Sequence, residues 1–111
     1  MINNNFKLLI KELIGKVINI SGISNLITKD KFFVFCYHEI TDNPSDFQKK
    51  NKLYVSKKNF KKQISFVKKL FNMIDPKDLN LDIKFKNSAL ITFDDGYKGS
   101  FNYGLNYLRK S

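Results

Sequence analysis

Asp94 and Asp95 stand side by side at the end of the apolar run 89–93, "ALITF", and Gly96 and Tyr97 follow them. Adjacent carboxylates repel, so the pair is costly unless a cation or a shared proton compensates it. One carboxylate holding a divalent ion while the other takes a proton from water is chemistry that such a pair can perform. His38, the single histidine of the chain, ends a second apolar run, 32–37, "FFVFCY". Its imidazole is an ordinary ligand or proton carrier for the same chemistry. Each feature also has a plainer reading. Asp-Asp-Gly is a frequent turn signal, and a histidine at a strand end can serve only to hydrogen-bond its neighbours.

The elements that must position these residues follow from apolar spacing. Residues 32–37 and 89–93 are continuous apolar runs bounded by turn residues, the pattern of strands buried on both faces. Gly96 supplies a turn position free of the Cβ penalty. Between the strands, Ser56 caps a helix whose stripe is Phe60, Ile64, Val67, Leu70 and Phe71, and its lysines lie mostly off that stripe as a solvated face. The "FNMI" segment adds a short strand, and Asp75-Pro76 opens a brief helix over 76–80. Leu81, Ile83 and Phe85 alternate as an extended segment, and Phe101, Leu105 and Leu108 mark a final helix. Residues 41–51, with Asn43-Pro44, read as a loop. Ahead of all this, Phe6, Leu9, Ile10, Leu13, Ile14, Val17 and Ile18 recur at helical spacing. Residues 1–31 are therefore an amphipathic helix and linker, and residues 32–111 the α/β unit, with parallel strands. Parallel strands in one sheet would bring His38, Asp94 and Asp95 to the same C-terminal edge, where α/β folds gather functional groups.

Composition narrows the setting. The chain has 111 residues and 42% hydrophobic content, with 11 Phe and 5 Tyr, which favours one globular unit over disorder. Its net charge of +10 favours anionic contacts, yet Arg109 is the only arginine, and bidentate readout of bases or phosphates is not expected. No nucleic-acid partner is expected. The lysines on the N-terminal helix offer contact with a membrane surface. Cys36 is the only cysteine; it reads as a small buried hydrophobe and rules out an internal disulfide framework or a Cys-based zinc site. No apolar run approaches the roughly 18 residues of a membrane span. The N-terminus lacks the continuous apolar core of a secretory signal, and the expected compartment is the cytoplasm.

"LITFDDGY" resembles the first motif of the polysaccharide deacetylases with a NodB-homology domain, carbohydrate esterase family 4. "FCYHEI" resembles the first-strand pattern of one large branch of that family, and "YVSKKNFKKQISFVKKLF" the helix between the two. The resemblance spans roughly residues 32–110. It implies the N-terminal half of a distorted (β/α) barrel, incomplete here, from an enzyme that hydrolyses N-acetyl or O-acetyl groups on a carbohydrate. It further implies a divalent metal, with zinc the expected ion, and an acetylated carbohydrate as substrate. Asp94 would be the catalytic base and Asp95 a metal ligand, while His38 and Tyr97 would line the site. The family also uses an H-x-x-x-H pair and later strands, which this one-histidine chain lacks. A complete barrel takes about 200–250 residues, so the chain is expected to be an inactive N-terminal piece of such an enzyme. Two other readings stand beside this one: a small basic module without catalysis, and a receiver-like domain that binds magnesium through carboxylates at its strand ends.

Overall fold

Strand β1 (Phe32–Tyr37) alternates strictly: Phe33, Phe35 and Tyr37 are half-buried, while Phe32, Val34 and Cys36 are exposed. The computed structural model describes residues 29–79 and 86–111. The expectation of a strand buried on both faces is therefore corrected for β1. Only one face is packed, with Phe33 and Phe35 against Phe71 and Tyr37 edge-on to Phe60 at 4.9 Å. Period-two side-chain alternation does the sorting. Cys36 falls on the other face and is exposed, so it is not the buried hydrophobe expected from its apolar neighbours.

Strand β2 (Glu39–Ile40) follows at once and pairs in parallel with β3 (Tyr54–Val55). Parallel neighbours need a crossover of a dozen or more residues, and the connection contains helix α1 (Asp46–Asn51). The sequence reading made this stretch a loop, and the structure corrects it. Ser45 and Gln48 form a reciprocal capping box, with Gln48 N–H donating to Ser45 Oγ at 3.2 Å and Ser45 N–H donating to Gln48 Oε1 at 2.8 Å. Two otherwise orphaned donors are satisfied at once, which starts a helix without an apolar stripe.

Helix α2 (Lys57–Leu70) follows the expected pattern. Ser56 Oγ accepts from Asn59 N–H, and Phe60, Ile64 and Val67 are buried. It leads into β4 (Asn72–Met73), and a 3₁₀ turn (Pro76–Asp78) capped by Asp75 stands where a brief helix was expected. Strand β5 (Ser88–Phe93) lies between β1 and β4 in a parallel sheet of order β1-β5-β4. The fold is mixed α/β with small parallel sheets, as expected at that level. The last strand occupies the middle rather than the edge that sequential winding would give it.

After β5 the chain passes through a π-helical segment (Ser100–Leu105) into α3 (Asn106–Lys110). Apolar spacing of three and four over so few residues does not distinguish a π turn from an α turn. The core lies between the packed sheet face and the helices, centred on Ile40, Phe60 and Ile64, with Tyr37, Ile91, Phe93, Tyr103 and Tyr107 against it. No helix among the described residues is long and apolar enough to cross a membrane. The amphipathic helix and linker read over 1–31 fall almost wholly, and the alternating segment around residues 81–85 wholly, outside the described residues.

Candidate functional site

Register decides what meets at the sheet edge. Tyr37 lies opposite Phe93, and the ladder continues one step further, with Asp94 N–H donating to Tyr37 carbonyl at 2.8 Å. His38 and Asp94 are therefore the first residues beyond two adjacent parallel strands. The chain then turns sharply: Asp95 has φ 62° and Gly96 φ 59°, both left-handed. Aspartate tolerates that region better than most side chains, and glycine adopts it without penalty. The turn brings Asp95 Oδ2 to 4.0 Å from His38 Nε2, with both side chains partly open to solvent.

Asp94 faces a different neighbour. It stands near the Cys36 thiol, whose own hydrogen bond goes to the Tyr37 carbonyl at 3.9 Å. Partial withdrawal from water, together with the charges of Asp94 and Asp95, holds the Cys36 pKa above the ordinary thiol value, although Thr92 works the other way.

Three ties fix this edge, and sequence reasoning missed the residues that make them. Ser100 Oγ–H donates to the His38 carbonyl. Gly99 presses onto β2 so closely that a Cβ there would collide with Glu39 Oε1 and the Ile40 carbonyl. Glu39, buried, accepts from Ile40 N–H at 3.0 Å and from Gln48 Nε2 at 3.5 Å. None of these positions belongs to a periodic pattern, and the contacts of Ser100 and Gly99 reach residues about 60 positions earlier, so no local signal marks them. Tyr97 is half-buried, and its carbonyl accepts from Phe101 N–H at 3.3 Å. Among the described residues no hydrogen bond or ion pair joins its side chain to His38 or to the aspartates.

A groove of about 820 Å³ lies beside β5 where β4 ends. Met73, Ile91, Phe93, Phe101 and Leu108 line it, with Lys68, Lys77 and Arg109 also contributing. It reaches Thr92 and Gly96, but His38, Asp94 and Asp95 are not part of its wall. The reactive side chains and this groove are therefore neighbours, not one site.

The chain matches no protein-family profile, no curated protein and no solved structure. The donor set itself can be tested against a divalent ion. Imidazole and carboxylate are both ordinary zinc donors, and here they stand 4.0 Å apart. That separation is too long for a direct hydrogen bond. Among the described residues no three His, Cys, Asp or Glu side chains come together as a ligand set. Two donors of one tetrahedral zinc stand about 3.4 Å apart, so His38 and Asp95 are of the right chemistry for such an ion but would have to close by about half an ångström to share it.

Proposed function

We propose that residues 32–111 are the N-terminal part of a metal-dependent polysaccharide deacetylase of the NodB-homology type, half of a distorted (β/α) barrel. The observation that carries this reading is the parallel register of β1 and β5, which sets His38 and Asp94–Asp95 on one edge with His38 and Asp95 4.0 Å apart. Asp95 would hold the metal, with His38 beside it. Bound there, a divalent ion, zinc by the family resemblance, would polarise the acetyl carbonyl and acidify the attacking water. Asp94 takes that water's proton on its carboxylate, and Tyr97 borders the site. The products are acetate and a free amine on the sugar, or a free hydroxyl where the acetyl is an ester. Further ligands would come from a region carrying the H-x-x-x-H histidines.

The test is a chimera that joins this chain to the later half of an active deacetylase bearing those histidines. Acetate release from an acetylated chito-oligosaccharide, lost in Asp94→Asn, is the expected result. A folded chimera that loads metal yet releases no acetate contradicts the proposal. A second reading, a basic binding module without catalysis, is favoured by the six lysines of α2. Under that reading the chimera is inert and Asp94→Asn changes nothing.

A further inference from the structure

Helix α2 carries Lys57, Lys58, Lys61, Lys62, Lys68 and Lys69 and no acidic residue. Like charges at helical spacing repel by about 0.2–0.5 kcal/mol per pair, which an anionic partner would relieve. The structure divides the six into two sets. Lys57 and Lys61 lie over the Tyr103 ring at 5.2 and 5.9 Å, Lys61 also lies 5.8 Å from the Tyr107 ring, and Lys68 Nζ donates to Ser111 Oγ at 2.8 Å. These three turn toward the C-terminal helix. Lys58, Lys62 and Lys69 lie on the stripe opposite Phe60, Ile64 and Val67 and are exposed. Among the described residues no salt bridge reaches them.

Between them sits Phe66, 40% exposed, one turn after Lys62 and flanked by Ser65 and Lys69. An exposed ring at the border of a cationic stripe matches an interface with an apolar layer beneath an anionic one. We propose that this outward face of α2 docks onto an anionic lipid surface, with Phe66 entering the headgroup–acyl boundary and Lys58, Lys62 and Lys69 meeting the headgroups. Charge complementarity selects anionic over neutral lipid. Nucleic acid fits less well. Tyr103 and Tyr107 stack on each other with their planes 7° apart, and lysines sit over their faces. On this face, among the described residues, only Phe66 is left for base stacking, and the stripe has no arginine fork for phosphate. This inference is independent of the deacetylase reading.

The experiment uses the full chain and phosphatidylcholine vesicles with and without phosphatidylglycerol. The sequence has no tryptophan, so Phe66→Trp gives emission from one site. Its emission should shift to the blue with the anionic vesicles only, and the shift should fade as salt rises. Replacing Lys58, Lys62 and Lys69 together by Gln should weaken binding roughly a hundredfold, at about fivefold for each lysine near the surface. Replacing the same three by Arg should preserve it. A parallel variant with Lys7, Lys11 and Lys16 changed to Gln separates any contribution of the N-terminal segment. Circular dichroism checks that each variant keeps its helix content. Equal binding to neutral vesicles, or none to either, overturns the proposal. So does unchanged affinity in the Lys58/Lys62/Lys69 variant, or tighter binding to an oligonucleotide than to anionic vesicles at equal salt.

Discussion

Asp94 and Asp95 are neighbours in sequence but turn to different partners, the first to Cys36 and the second to His38. That division has a consequence at Cys36. Although exposed, its thiol is held above the ordinary value, so its thiolate fraction near neutral pH is low. Alkylation by iodoacetamide should be slower than that of free cysteine, and Asp94→Asn should accelerate it by removing an adjacent charge. A rate equal to free cysteine in both proteins would contradict an influence of Asp94 on the thiol. Tyr37 offers a second test. Burial raises its phenol above the usual value while its hydroxyl donates to Gln63 Oε1 at 3.0 Å. The folded state therefore keeps a proton that the unfolded chain loses near pH 10, about the ordinary tyrosine value. The associated stability is complete below that pH and is lost as pH rises through the folded value. Denaturant midpoints measured across that window should fall with pH, and Tyr37→Phe should make the fall shallower. The Asp-Asp-Gly turn and His38 were legible from residue type and position alone. The ties through Glu39, Gly99 and Ser100 were not, because each depends on a contact between segments that no local spacing encodes.

Helix α2, β1, β5 and the caps at Ser56 and Asp75 were legible because apolar period and capping chemistry agree there. Helix α1 was hidden for the opposite reason: Phe47 is exposed, and only the Ser45–Gln48 box marks its start. Ser45→Ala should therefore cost about 0.5–2 kcal/mol, as loss of an N-cap does, measured by urea unfolding. Ile64 is fully buried in the core cluster, so Ile64→Ala should cost about 2–5 kcal/mol. The two-residue strands β2 and β3 carry no period of their own and exist through pairing with each other. Their fixed point is the close approach of Gly99. Gly99→Ala should destabilise by about 1–3 kcal/mol, the usual cost of overpacking. A neutral Gly99→Ala would mean that the segment after Gly96 does not rest on β2.

The three-stranded sheet β1-β5-β4 leaves Phe32, Val34 and Cys36 exposed, and the groove beside β5 opens an apolar wall. Covering these surfaces is what the remaining elements of a barrel would do under the deacetylase proposal. The 111-residue chain alone should accordingly bind a hydrophobic dye and tend to associate. It should release no acetate with zinc, cobalt or nickel supplied. A monomer that unfolds sharply and binds no dye would point instead to a self-contained module. The α/β class and parallel pairing were readable from the sequence. The order of strands was not, because short apolar runs do not specify their neighbours. The central claim, that Asp94 is the base and Asp95 the ligand, is tested most directly by metal titration and kinetics on the chimera in both variants. Asp94→Asn should keep its metal and lose roughly 10²–10⁴ in kcat with little change in KM, the worth of a positioned general base. Asp95→Ala should lose metal affinity and regain part of its activity in excess metal. Retention of metal by Asp95→Ala together with its loss in Asp94→Asn would reverse the assignment, and no change in either variant would make the Asp-Asp-Gly turn purely structural.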